Sequence, residues 1–305
     1  MQISKIRFLE KGEQVLLPRR ASVLPKKLRT AYMEKRCFYR REGDTVILQT
    51  TAENSMTAIW RQNGKKLLEQ LKKEGISIVI PPLEGELPSG ILPFAEGRRL
   101  TNLFAFIGGA EALKRQGKDP AACRYLLAGG REGDWRMALT SMGKDVNHLA
   151  IFTADVREGK KLEQELFAEY GLMTEVFASP KNPSFGQADV VFGCGMEQRK
   201  YEHMLKEGAV WIDLAGNRPL RKRLREARPD VVVCDGFFFR KGKRQLEGRE
   251  AEAENFQTCP LLRENWQFPP EEMAGKEILC ELQENGYAVS GFSVLGKRVK
   301  IKKKP

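Results

Sequence analysis

The stretch Cys123–Gly133, CRYLLAGGREG, constrains this chain more than any other. Tyr125, Leu126 and Leu127 read as a buried strand that breaks at Ala128-Gly129-Gly130, and the helical pattern from Trp135 to Met142 follows with Asp134 placed to cap it. A strand, a glycine turn and a helix form the opening unit of a nucleotide-binding type of α/β domain. Glycine lets the backbone turn sharply and approach a ligand closely, while the first N–H groups of a helix face an anion unpaired. Gly129, Gly130 and Gly133 are therefore the first candidate cofactor-binding residues.

Downstream the pattern repeats. Strands are expected at Leu149–Thr153, Glu175–Ala178, Val190–Phe192, Ala209–Leu214 and Asp230–Cys234, and helices at Val156–Tyr170, Gln198–Lys206 and Leu220–Ala227. Near-continuous apolar strands with amphipathic helices between them require a parallel sheet covered on both faces. Right-handed crossovers make that sheet doubly wound and Rossmann-like. Ligands of such sheets bind beyond the carboxyl ends of the strands, where Gly129, Gly130, Asp155, Gly193, Cys194, Gly195, Asp213 and Asp235 fall.

Ahead of this lobe lies a smaller α/β or α+β domain. Its expected elements are strands at Lys5–Leu9 and Gln14–Leu17, a helix over Val23–Arg36 and a hairpin around Glu42-Gly43-Asp44. A long helix over Ser55–Glu74 and a strand at Ile76–Ile80 complete it. The proline-rich loop Pro82–Glu96 leads to a bridging helix, Arg98–Lys118, whose Gly108-Gly109 pair permits close backbone approach. The expected division is an N-terminal substrate domain 1–97, the bridging helix 98–122, the Rossmann-like domain 123–239, and a C-terminal segment 240–305. That last segment reads as a charged loop or exposed helix over Arg240–Glu254, then a helix Glu271–Glu284 returning to the first lobe.

Gln187–Gly195, QADVVFGCG, and Met204–Asn217, MLKEGAVWIDLAGN, resemble the late Rossmann strands of two-domain NAD(P)-dependent dehydrogenases. Shikimate dehydrogenases, methylenetetrahydrofolate dehydrogenases and glutamyl-tRNA reductases share that arrangement, and the resemblance covers about residues 98–239. It implies NAD or NADP as cofactor, with Gly129, Gly130, Gly133, Gly193 and Gly195 around it and Asp155, 26 residues beyond Gly129, at the ribose. Asp155 reads equally well as the cap of the following helix. The departures are specific. Ala128 replaces the first glycine of the fingerprint, and Glu132 and Asp134 put carboxylates where a pyrophosphate would sit. Ala105 stands where shikimate dehydrogenases carry their catalytic aspartate, Tyr32 is followed four residues on by Arg36 rather than a lysine, and Cys37 has no histidine near it. Catalytic residues do not transfer; Lys26, Lys27 and Asp213 are the candidates that the residues themselves suggest.

Charge narrows the partners. Residues 1–122 carry 22 Lys and Arg against 13 Asp and Glu, whereas residues 123–239 carry 17 of each, so the net charge of +12 sits mainly in the N-terminal third. A small anionic substrate suits that surface; a nucleic acid also fits the charge but lacks an aromatic RNA-binding motif, and a solvated lysine-rich face explains it as well. Six scattered cysteines without a C-x-x-C pair read as reduced thiols, and two histidines supply neither a metal cluster nor a serine-histidine-acid triad. No apolar run reaches membrane-helix length and the N-terminus is too charged for a signal peptide, so a cytoplasmic protein without a membrane partner is expected, with homodimerisation left open. Two functions stand close together: hydride transfer between a nicotinamide nucleotide and a small anionic metabolite, and a Rossmann-like binding or regulatory module without dinucleotide.

Overall fold

In the computed structural model of this 305-residue chain the described residues are 2–10, 13, 23–34, 38–49, 53–83, 85–130, 132–195, 201–267 and 274–301. The chain forms two compact units, Met1–Glu96 with Glu252–Thr258, and Gly97–Ala251 with Cys259–Pro305.

The first unit contains β1 (Gln2–Phe8), α1 (Lys26–Glu34), β2 (Tyr39–Glu42), β3 (Thr45–Leu48), α2 (Ala58–Lys73) and β4 (Ile76–Ile80). Its sheet has the order β2-β3-β1-β4, with β1 parallel to β3 and β4 and β2 antiparallel to β3. The expected hairpin is present and turns at Gly43, whose φ of 61° suits glycine. The expected long helix is shorter at its start, because Thr57 caps it by accepting the Trp60 N–H at 3.1 Å and the preceding Glu53–Met56 is a 3-10 turn. Trp60, Leu67, Leu68 and Leu71 of α2 pack with Ile6, Val46, Leu48 and Val79 of the sheet. The strand expected at Gln14–Leu17 lies outside the described residues.

The second unit opens with α3 (Arg98–Leu103) and α4 (Ala105–Arg115), so the single bridging helix is two helices broken at Phe104 (φ −102°, ψ 16°). It continues with β5 (Arg124–Ala128), α5 (Glu132–Leu139), β6 (His148–Phe152), α6 (Val156–Tyr170), β7 (Thr174–Phe177) and α7 (Pro183–Gln187). β8 (Val190–Gly193), β9 (Val210–Asp213), α8 (Arg218–Ala227) and β10 (Val232–Cys234) follow. These six strands are parallel and ordered β10-β9-β8-β5-β6-β7, the doubly wound arrangement expected from the sequence. Strand order reverses between β5 and β8, which makes the crevice between their carboxyl ends the topological switch point. Leu126, Val191 and Trp211 pack with Leu220 and Leu224 of α8 on one side of the sheet, while Phe106 of α4 stacks on Tyr125 and lies tilted against Phe192 on the other. Gly108 and Gly109 allow this close approach: a Cβ on Gly108 would lie 2.2 Å from the Phe237 ring, and one on Gly109 3.2 Å from Phe192.

Two local expectations fail here. Asp134 lies inside α5, which begins at Glu132, and so does not precede the helix as expected. In place of a helix over Gln198–Lys206 there is a 3-10 turn at Glu202–Met204, with 196–200 outside the described residues.

The C-terminal segment is neither a loop nor an exposed helix at its start. β11 (Gly236–Lys241) and β12 (Arg244–Glu247) form a hairpin, followed by α9 (Gly248–Thr258), α10 (Pro260–Glu264), α11 (Gly275–Glu284), β13 (Tyr287–Val294) and β14 (Lys297–Val299). They make an antiparallel sheet of order β12-β11-β13-β14. Phe237 and Phe239 point into the core, while Phe238 on the opposite face lies under the Arg298 guanidinium at 5.3 Å. The helix expected to return to the first lobe, now α11, belongs to the second unit; Glu252–Thr258 is the late segment grouped with the first.

Candidate functional site

The crevice is built from three chain turns at the carboxyl ends of β5, β8 and β9. β5 ends at Ala128, and Gly129 (φ 74°) and Gly130 (φ 83°) then turn the backbone through two successive left-handed conformations that side chains disfavour. The Gly129 N–H donates to Phe152 O at 2.7 Å, and the indole N–H of the fully buried Trp135 donates to Gly129 O at 2.6 Å, so the turn is fixed from both sides. Gly195 has φ 100°, and a Cβ there would stand 3.9 Å from both the Gly130 Cα and the Ala215 Cβ. Gly130, Gly195 and Ala215 therefore line one narrow space with backbone and a methyl group. Gly133 lies in the first turn of α5.

Gly193 has a different role from Gly195. A Cβ on it would lie 2.6 Å from Trp211 Cζ2, so this glycine makes room for an indole that is itself buried, with an N–H that has no hydrogen-bond partner among the described residues. Asp155 is exposed and caps α6, its Oδ1 accepting the Glu158 N–H at 3.0 Å. Lys27 is exposed on α1 of the first unit, and the Lys26 side chain lies outside the described residues.

At the end of β9, Asp213 is 3% exposed. Burial pushes its carboxyl above the usual range; attraction to Arg221 and the backbone N–H groups of Asn217 and Gly216 oppose this without overcoming it. Arg221 Nε lies 3.3 Å from Asp213 Oδ2 without the alignment of a hydrogen bond, while Arg221 Nη1 lies 2.5 Å from Asp235 Oδ2. Two carboxylates thus share one guanidinium. Asp235 also accepts the Leu295 N–H, at 3.1 and 3.0 Å from its two oxygens. Past Asp213 the chain turns at Gly216 (φ 73°), and Asn217 caps α8 by accepting the Leu220 N–H at 3.1 Å.

One residue that sequence reasoning missed stands at this turn. Arg98, at the start of α3, lies so close to Gly216 that a Cβ on the glycine would be 2.4 Å from Nη2. The two are far apart in the chain; Gly216 falls in the Met204–Asn217 stretch singled out above, but nothing in the sequence points from it to Arg98.

No family model and no curated relative matches the chain. Among solved structures, the iminosuccinate reductase of Paracoccus denitrificans in complex with NAD+ is similar over 39% of this chain and 35% of its own, at 14% identity and a TM-score of 0.27. The chain thus spans about a third of that protein. L-tryptophan dehydrogenase from Nostoc punctiforme matches over 93% of this chain and 79% of its own, at 8% identity and a TM-score of 0.36. Shikimate 5-dehydrogenase from Listeria monocytogenes, in complex with shikimate and NAD, matches over 92% and 96%, at 12% identity and a TM-score of 0.34. At these scores none of them bears on site or activity. The doubly wound class follows from this chain's own strand order.

Proposed function

We propose that the protein is an oxidoreductase that binds NAD or NADP in the crevice between β5 and β8 and acts on a small anionic metabolite. The observation that carries this reading is the convergence of Gly130, Gly195 and Ala215 at the switch point, a cradle that a single Cβ at Gly195 would fill. The glycines of the crevice leave the backbone open to the group, while Glu132 and Asp134 are the residues that oppose it. The Gly129-Gly130 turn and the N-terminus of α5 would receive the pyrophosphate, and Gly195 would let the dinucleotide pass close to the backbone. Asp155, at the end of the second strand, would take the ribose with the oxygen not engaged in capping α6. When bound, the nicotinamide would supply the hydride chemistry. The chain's part is to orient that ring from a glycine turn that the buried Trp135 holds in place.

A titration with NADH and NADPH, followed by tryptophan fluorescence and thermal unfolding, tests this directly, because Trp135 is hydrogen-bonded to the glycine turn. We expect saturable binding by one of the two and its loss in Gly130→Asp. No response to either at millimolar concentration overturns the reading. It would favour the second one, a binding module without dinucleotide, whose support is the placement of Glu132 and Asp134 in the first turn of α5.

A further inference from the structure

We propose that Arg98 is the anion anchor of this crevice and that it holds a carboxylate of the substrate; the assignment rests on the dinucleotide reading above. Its guanidinium lies against Gly216, where a Cβ would stand 2.4 Å from Nη2 and 3.1 Å from Cζ. Gly216 directly follows Ala215, whose methyl borders the same space as Gly130 and Gly195. A continuous path therefore runs from the glycine turn of β5, past the end of β8, to the guanidinium at the end of β9.

That guanidinium is exposed, and no hydrogen bond or ion pair engages it among the described residues. The nearby acids are committed elsewhere: Asp235 to Arg221 and the Leu295 N–H, Asp213 to the turn beneath Arg98. Its neighbour Arg99 shows the contrast. Arg99 donates from Nη2 to Trp266 O at 2.8 Å and stacks 4.2 Å from the Trp266 ring, which makes it part of the packing. Of two adjacent arginines, one is fixed in the fold and the other lies exposed against Gly216, with no hydrogen bond or ion pair among the described residues.

A guanidinium presents a planar fork that matches a carboxylate or a phosphate in bidentate geometry. Position decides between them. The phosphates of a dinucleotide belong at the β5 turn, while Arg98 lies at the end of β9, two strands and about 10 Å further along the sheet. An anion there belongs to the substrate. Asp213, receiving the Gly216 and Asn217 N–H groups, is a positioning residue that shapes the turn on which Arg98 rests.

Calorimetric titration with oxalate, a planar dicarboxylate, and separately with inorganic phosphate, each with and without saturating NADH, tests the assignment. We expect oxalate binding that falls about tenfold or more in Arg98→Gln and less in Arg98→Lys, since an ammonium keeps the charge but not the fork. NADH affinity in Arg98→Gln should stay within about twofold and its unfolding temperature within about 2 °C of wild type, as expected for an exposed side chain. Unchanged oxalate affinity in Arg98→Gln, or no oxalate binding by the wild type, overturns the proposal. So does a loss confined to NADH and phosphate, which would assign Arg98 to the cofactor. Should NADH fail to bind the wild type while oxalate binding still depends on Arg98, the anchor stands and the dinucleotide reading falls.

Discussion

At the amino ends of β5, β8 and β9 the buried carboxylate of Asp189 receives the Lys118 and Lys206 ammoniums, each 2.8 Å from Oδ1, and the Arg124 N–H at 3.2 Å on Oδ2. At the carboxyl ends of the same strands Asp213 is buried as deeply, yet among the described residues its Oδ2 has no hydrogen bond, and the Arg221 guanidinium beside it is shared with Asp235. Burial raises both acids, but at Asp189 the two ammoniums and the N–H outweigh it and lower the carboxyl, while at Asp213 burial prevails. One end of the sheet is electrostatically satisfied and pins three strand starts. The other keeps glycines in left-handed conformations and, among the described residues, an acid with one oxygen unbonded and an arginine without a partner, features that a purely structural edge would not need.

Breaking the satisfied end should have the largest effect. Asp189→Ala leaves two ammoniums facing each other and should cost about 2–4 kcal/mol, somewhat less than a fully buried pair, because the Lys206 side chain is 42% exposed and regains water. Chemical denaturation measures it; a loss under 1 kcal/mol would contradict the contrast between the two ends. Because Asp189 is lowered in the folded state, its contribution is present above the unfolded carboxyl pKa of about 4 and disappears as pH falls through the folded value. The variant should therefore show a shallower acid limb.

Gly193→Ala comes next, at about 1–3 kcal/mol, since its Cβ would meet the buried Trp211 ring at 2.6 Å. The accompanying change in tryptophan fluorescence separates displacement of the indole from a general loosening. If the variant matches wild type in both, Gly193 is not there for packing and returns to the list of ligand-facing glycines.

Asp213→Asn should have the smallest effect and the opposite pH signature, within about 1 kcal/mol of wild type at neutral pH. A carboxyl raised by folding contributes stability that is complete below the unfolded pKa of about 4 and is lost as pH rises through the folded value. Relative to the amide variant, the wild type should thus weaken as pH rises from about 4 toward neutrality. Parallel pH profiles for the two proteins would show that Arg221 satisfies Asp213 after all, and the two ends of the sheet would no longer differ.

The doubly wound lobe was legible because its determinants are local. An apolar run such as Tyr125-Leu126-Leu127 followed by two glycines announces a buried strand and a tight turn within a few residues, and the same signal recurs at Val190–Gly195 and Val210–Gly216. Those glycines also marked the rim of the crevice. What no local signal carried was the antiparallel sheet of Gly236–Val299. Its charged hairpin, Arg240–Glu247, looks solvated until Tyr287–Val294 pairs with β11 from some fifty residues further on. Nor could the sequence distinguish Gly193 from Gly195, or Arg98 from Arg99, since each pair differs only in what the fold brings against it.

By itself, then, the sequence determined the alternation of strands and helices and the glycine turns at the strand ends, because periodicity and backbone freedom are properties of neighbouring residues. Tertiary structure alone decided which glycine admits an indole, which acid shares its arginine and which arginine is left facing the crevice. Those outcomes depend on burial and on contacts between residues far apart in the chain, and neither is written into any short segment of it.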